Sequence, residues 1–320
     1  MSKPRIVGTG PIGQVAIDIL EPFGPIAIAP DHRMESLLPL LDEAVGLAVR
    51  GEAKIDATVM DAAPHLKVIA RSGVGYNNVD IAGATSRNIP VVYTPGAGAR
   101  AVAEAAMAMM LALSKQILHW DARMMAGDWA SRNDISNRDL DGATLGIVGF
   151  GRIGQIVAEL AKAFNMTVLA YDPYVTAERA ESLGVKITNL DELMGQCDFI
   201  TLHANVTDET RGMINRQQLK RIKPGSYLVN LARGDLVESL DIVHEALCDG
   251  RLAGAGLDVF SPEPPDTSHP LFKMPNCVTA PHALAMTTGA MERIFKAMAQ
   301  DMVAVLTGKR PKDVVNPEVL

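Results

Sequence analysis

Twice in 320 residues a short apolar run ends in a glycine-spaced turn and passes into a segment of helical period. RIV leads into GTGPIG at 8–13, and TLGIV leads into GFGRIG at 149–154. A strand, a G-x-G-x-x-G turn and a helix in that order open a doubly wound parallel sheet, and the turn suits the pyrophosphate of a dinucleotide. Alternation continues after each turn. In the first stretch the short apolar runs are RIVG, PIAIAP, ATVM, LKVIARSG and IPVVYTPG, with PIGQVAIDIL and MESLLPLLDEAVG as helical segments. In the second, TLGIV, MTVLAYDP, VKIT, DFITLHA, YLVNLARG, AGAGLDVF and NCVTAPH read as strands. Between the two lies ARAVAEAAMAMMLALSKQIL at 99–118, one long helix candidate that is apolar on more than one face and must be buried from several sides.

A single core stops growing near about 250–300 residues, so two domains are expected. The pattern predicts an α/β protein of two doubly wound parallel-sheet domains. A Rossmann domain at 99–285 is inserted into a flavodoxin-like domain made of 1–98 plus 286–320. The helical segment near 288–307 and the tail KDVVNPEVL cross back to the first domain in this reading.

Only one of the two turns is expected to hold a cofactor, and spacing does not choose between them. Asp31 stands 23 residues after Gly8, and Asp172 stands 23 residues after Gly149. The neighbours do choose. Arg33 is placed to pair with Asp31, and Pro11, read at a first helical position, removes an N–H that a pyrophosphate would use. Arg152 at the matching place in the second turn keeps its N–H and adds charge. Asp172 would accept from both ribose hydroxyls and repel a 2′-phosphate, and neither Pro173 nor Tyr174 would neutralise one, which favours NAD over NADP.

Three strands end in reactive side chains: NLARG in Arg233, DVFSPEP in Glu263 and TAPH in His282. Ligand crevices in such sheets lie outside the carboxyl ends of strands. Together with RSGVGYNNVD, TPGAGARAVAE, GFGRIGQ and VVNPEVL, these segments resemble, in order along the whole chain, the D-isomer-specific 2-hydroxyacid dehydrogenases. The resemblance implies an NAD-dependent oxidoreductase acting on the CH–OH group of donors, with hydroxypyruvate, glyoxylate or glycerate as typical of its substrates. It implies His282 as general acid and base, and an imidazole titrating near neutrality suits both directions. Glu263 beside it would favour the protonated ring and fix its orientation. Arg233 would grip the substrate carboxylate and polarise the carbonyl. Val74 and Gly75 would offer main-chain N–H groups to the other carboxylate oxygen. The cofactor would meet Gly149, Gly151, Arg152, Ile153, Gly154, Asp172, Ala232 and Asp258. The Met-rich helix would pack against a second subunit, giving a homodimer.

The other six histidines, His32, His65, His119, His203, His244 and His269, read as structural or solvated, with His203 a wall of the site. Two positions depart from the family pattern. Leu284 stands where a glycine usually follows the histidine, and Asn205 where a proline usually follows the strand-end histidine. Competing readings are an NAD-binding regulatory partner without turnover, a phosphoglycerate dehydrogenase using Arg50 and Arg71, and a phosphite dehydrogenase. Formate chemistry is disfavoured, because its sites carry glutamine where Glu263 stands.

Composition narrows the partners. A formal charge of −7 argues against an electrostatic grip on nucleic acid or an anionic membrane. Cys197, Cys248 and Cys277 are too far apart for a C-x-x-C metal or redox pair, so no metal is expected and reduced thiols fit the cytoplasm. MSKPRIVG offers no apolar stretch of signal-peptide length, and no run of about 18 apolar residues occurs, so neither export nor membrane insertion is expected.

Overall fold

The computed structural model describes residues 5–134 and 136–320. The chain forms two compact units, Met1–Gly98 with Met286–Leu320, and Ala99–Ala285.

The first unit is built on strands β1 (Arg5–Gly8), β2 (Ile26–Ile28), β3 (Ala44–Val49), β4 (Val68–Arg71) and β5 (Val91–Val92). All pair in parallel in the order β2-β1-β3-β4-β5, the flavodoxin-like arrangement. Its helices are α1 (Gln14–Leu20), α2 (Met34–Leu37), α3 (Ala57–Asp61), α4 (Ile81–Ser86) and, from the end of the chain, α12 (Thr288–Leu306). Strand residues alternate between two cores. Ile6, Ala48, Val68 and Val92 face Phe295, Met298 and Met302 of α12, while Val7, Leu47, Ile69 and Val91 face the opposite layer. The tail is tied to the sheet edge, where buried Asn316 accepts from Val91 N at 2.7 Å.

MESLLPLLDEAVG is not one helix. α2 gives way to a 3-10 turn at Leu38–Leu40, where Pro39 cannot donate, and Ala44 already begins the central strand β3. ATVM is helical, not extended, because Asp56 caps α3 by accepting from Thr58 N. The central strand lacks a clean apolar pattern because Gly46 lies under α12, and a Cβ there would sit 2.9 Å from Met302 Sδ.

The second unit contains β6 (Thr144–Val148), β7 (Thr167–Tyr171), β8 (Lys186–Ile187), β9 (Phe199–Leu202), β10 (Ser226–Asn230), β11 (Leu252–Leu257) and β12 (Cys277–Thr279). Their parallel order, β12-β11-β10-β9-β6-β7-β8, reverses at β6 and β9, the Rossmann switch point. The helices are α5 (Ala99–Ser114), α6 (Ile117–Met125), α7 (Arg152–Ala163), α8 (Ala177–Ser182), α9 (Leu190–Gln196), α10 (Arg216–Arg221) and α11 (Leu240–Cys248). Leu145, Ile147, Phe199, Tyr227 and Val229 point to one face, under α5 and α7, and Val148, Ile200, Leu202 and Leu228 to the other. Each such large apolar side chain contributes about 1.5–3 kcal/mol on burial. The helix expected over 99–118 is two helices. Gln116 takes the left-handed conformation at φ 50°, and the Ser114 carbonyl accepts from Arg138 N at 2.8 Å instead of continuing the ladder.

Candidate active site

At the switch point β6 is followed by Gly149 with φ 92°, and a Cβ there would lie 2.5 Å from Ala204 N. Only glycine fits a backbone so turned and so closely approached. Gly154 lets α7 press on the turn, since its Cβ would meet the Gly149 carbonyl oxygen at 2.3 Å, whereas nothing lies within 4 Å of the Cβ direction of Gly151. The space over Gly151 is therefore open, and α7 begins beside it with the unpaired N–H groups of a helix start. Asp172, just past β7, accepts from Phe150 N at 2.8 Å and from Tyr174 N at 2.9 Å, so its carboxylate is anchored at the rim of the turn.

The amino-terminal turn is arranged differently. Arg33 donates to Asp31 through Nε at 2.9 Å and Nη2 at 2.6 Å, and this hydrogen-bonded guanidinium holds the Asp31 carboxyl well below the usual carboxylate range. The His32 ring lies with Nδ1 2.8 Å from the Thr9 carbonyl and Cε1 3.2 Å from where a Gly10 Cβ would be. Arg50 donates to the Pro11 carbonyl at 2.7 Å. These side chains fill the room that a pyrophosphate would need. Pro11 is not at the first helical position, because α1 starts at Gln14 with Gly13 as its cap. What closes this turn is side-chain packing, not the missing proline N–H.

Arg233, Glu263 and His282 all belong to the second unit, and two of them touch. His282 Nδ1 lies 2.9 Å from Glu263 Oε2, and Glu263 Oε1 accepts from Phe260 N at 2.9 Å, so both carboxylate oxygens are committed. Arg233 follows β10, its turn shaped by Asn230: the amide donates to the Arg233 carbonyl at 2.9 Å and accepts from Ala232 N at 3.0 Å. Gly234 then lies so close to the β11 loop that a Cβ would be 2.0 Å from the Phe260 carbonyl carbon. That contact seats the arginine turn against the segment that carries Glu263. Burial lowers the Arg233 pKa, and the carboxylates of Glu263 and Asp235 oppose that shift; a guanidinium remains charged in any case.

His282 has φ 53°, an unusual conformation for a residue with a side chain. The following turn is held by Asp258, which accepts from Ala283 N at 2.9 Å and Leu284 N at 3.3 Å. Asp258 is 3% exposed, and burial raises its pKa against those two hydrogen bonds. Asn230 and this anchoring by Asp258 escaped the sequence reading. Their only signal is a polar side chain at the end of an otherwise apolar strand. Arg152 stands exposed at the start of α7, Ile153 and Ala232 are half-buried, and Leu284 is 38% exposed. Asn205 enters a loop closed by Thr210, whose hydroxyl donates to the Asn205 carbonyl at 2.6 Å. His203, the residue after β9, bonds Thr201 Oγ1 at 3.0 Å through Nε2, and burial pushes its pKa down to about 3, so it is neutral. In the other unit, Val74 and Gly75 follow β4, and their main-chain N–H groups make no hydrogen bond among the described residues.

Residues 107–283 match the family model described as D-isomer specific 2-hydroxyacid dehydrogenase, NAD binding domain. The chain is 39% identical to D-3-phosphoglycerate dehydrogenase of Archaeoglobus fulgidus over 98% of its own residues, and spans 59% of the length of that longer protein. It is 37% identical to glyoxylate reductase of Thermococcus litoralis, covering 99% of this chain and 98% of that one. Among solved structures, D-lactate dehydrogenase of Aquifex aeolicus, complexed with NAD and lactic acid, superposes with a TM-score of 0.85 at 28% identity, covering 95% of this chain and 96% of the other. A protein of Thermus thermophilus reaches 0.91 at 37% identity over 97% and 99% of the two chains.

Proposed function

This chain belongs to the D-isomer specific 2-hydroxyacid dehydrogenases, and from that premise we propose that it reversibly reduces a small 2-keto acid of the glyoxylate or hydroxypyruvate kind to the 2-hydroxy acid. The observation that carries this reading is the 2.9 Å pair of Glu263 and His282 beside the Arg233 turn. NAD suits the second glycine turn, where Gly151 faces open space and Asp172 stands at the rim. When bound, the nicotinamide supplies or accepts the hydride. Gly149, Gly151, Arg152, Ile153 and Gly154 line the pyrophosphate side in this proposal, Asp172 takes the ribose, and Ala232 and Asp258 lie toward the nicotinamide.

With Nδ1 committed to Glu263, the ring nitrogen left for the substrate is His282 Nε2. As the keto oxygen gains negative charge, Nε2–H donates its proton; in the oxidation direction the neutral nitrogen takes the hydroxyl proton back. Such assistance is worth about 10²- to 10⁴-fold in rate. Glu263 keeps the ring oriented and balances its charge when protonated. Arg233 offers fixed N–H donors to the substrate carboxylate and the carbonyl. Val74 and Gly75 are the proposed main-chain donors to the other carboxylate oxygen.

The test is NADH oxidation, followed at the nicotinamide absorbance, with glyoxylate, hydroxypyruvate and pyruvate. NADH binding without turnover of any of them would overturn the enzymatic reading in favour of a regulatory protein. The curated relatives motivate a second substrate, 3-phosphoglycerate, with Arg50 and Arg71 as its phosphate ligands. Arg50 already donates to Pro11 and lies over the Phe295 ring at 5.5 Å, which favours the unphosphorylated acids. Oxidation of glycerate but not of 3-phosphoglycerate by NAD is the expected result, and phosphite belongs in the same assay.

We also propose a homodimer. The Met-rich helix expected to meet a second subunit is α5, which buries Met107, Met109 and Met110 in the core of its own unit, so the support is instead the exposed apolar side chains on α6 and the turn after it, Ile117, Leu118, Met124, Met125 and Trp129, among which Met125 is 84% exposed. No single helix among the described residues is long and apolar enough to cross a membrane. A cytoplasmic location is the proposed setting.

A further inference from the structure

Asp172 is not the only carboxylate at the outer edge of the cofactor turn. Its hydrogen bond from Tyr174 N fixes the start of the chain segment after β7, and the Tyr174 side chain, 83% exposed, reaches across so that its hydroxyl donates to Glu209 Oε2 at 3.3 Å. Glu209 belongs to the segment after β9. That segment begins directly against the glycine turn, where Ala204 N blocks any Cβ on Gly149. Its path is set by paired threonines: Thr207 N donates to Thr210 Oγ1 at 2.8 Å, and Arg211 N donates to the Thr207 carbonyl at 3.0 Å. Glu209 is therefore presented on an ordered loop.

Strand order makes these two segments the walls of one opening. β7 and β9 flank β6 on either side, so the loops leaving them stand left and right of the turn that β6 enters. The Tyr174–Glu209 bond joins the walls at their outer edge. An exposed phenol on an exposed carboxylate contributes little to folding, because solvent screens it. Both Glu209 and Asp172 raise the pKa of the Tyr174 hydroxyl, which puts two negative charges within electrostatic reach of one atom. The arginine nearest in sequence, Arg211, is occupied by Asp235.

We propose that Glu209 is a second specificity-determining carboxylate, held at the adenosine mouth by Tyr174 as a positioning residue. It disfavours the 2′-phosphate of NADP by charge and leaves the ribose hydroxyls to Asp172. This rests on the reading that the adenosine ribose lies at Asp172.

Wild type, Glu209→Gln, Tyr174→Phe and Asp172→Asn are titrated with NADH and NADPH by nicotinamide fluorescence, at low and high salt. Glu209→Gln should tighten NADPH severalfold at low salt and less at high salt, because the repulsion it removes is between solvent-exposed charges and is screened by salt. NADH should change by less than about twofold. Tyr174→Phe should move the NADPH:NADH ratio in the same direction by a smaller factor. An unchanged ratio in Glu209→Gln, with a shifted ratio in Asp172→Asn, overturns the role of Glu209 alone. An unchanged ratio in Asp172→Asn overturns the placement of the ribose and the inference with it.

Discussion

Replacing Glu263 with glutamine isolates the part of the site that the geometry makes most specific. The side chain has two tasks on two oxygens, accepting from Phe260 N at 2.9 Å and meeting His282 Nδ1 at 2.9 Å. Glutamine keeps the first through its carbonyl oxygen, so the loop keeps its shape. The second changes kind, because an amide N–H₂ then faces Nδ1 and no negative charge balances a protonated ring. A hydrogen bond to a charged group is worth about 1.5–3 kcal/mol when shielded. Here the side chains of His282 and Glu263 are 47% and 28% exposed, and solvent screening reduces the figure. A loss of about 1–2 kcal/mol remains, which is about 5- to 30-fold in kcat/KM. The assay is initial rates in both directions, with NADH affinity measured separately by fluorescence. Wild-type kcat/KM in Glu263→Gln, or a loss of NADH affinity as large as the loss of rate, would refute the role given to the pair. Glu263→Ala provides the contrast. It also strands Phe260 N, so thermal stability should fall by about 1–3 kcal/mol in addition to the kinetic loss.

Four further outcomes follow from the same geometry. His282→Ala should lower kcat by about 10²- to 10⁴-fold while NADH binding stays near wild type, and full activity would remove it as the acid. His203 is neutral in the folded state, with a pKa near 3 against 6.5 when free. Its contribution to stability is complete above about pH 6.5 and declines as the pH falls toward 3, so His203→Asn should flatten the acid limb of unfolding free energy by about 1.4 kcal/mol per pH unit. Burial pushes the thiols of Cys197 and Cys277 up to about 12, whereas Cys248 is exposed, so iodoacetamide at neutral pH should label Cys248 in the native protein and reach the other two only after unfolding. Met125→Glu combined with Leu118→Glu should shift the protein in sedimentation from a dimer to its 34.2 kDa chain mass; an unchanged mass would place the subunit contact elsewhere.

The sequence by itself determined the features that depend on short stretches of chain. The strand–turn–helix at 144–163 is legible because Gly149, Gly151 and Gly154 each meet a different steric demand within six residues, and Asp172 follows at the distance one helix and one strand impose. Strand ends are equally legible, since the runs before Arg233 and Glu263 are apolar and almost wholly buried, as parallel strands are, while the run before His282 is a short edge strand that is only partly buried. Even the pairing of Asp31 with Arg33 could be read, because the partners are two residues apart.

Tertiary structure alone decided whatever depends on a neighbour distant in the chain. Gly46 weakens the pattern of β3 because Met302, 256 residues later, occupies its Cβ space. The break at Gln116 answers to Arg138, which takes the carbonyl that the helix would have used. The amino-terminal turn is closed by His32 and Arg50, and the second turn is open, although the two glycine patterns match. Asp258 and Asn230 hold the reactive turns through hydrogen bonds that no local spacing encodes. A G-x-G-x-x-G pattern specifies a backbone path, and that is a local matter of sterics. Whether the space above that path is empty or filled depends on side chains delivered by other strands, and only the folded chain brings those together.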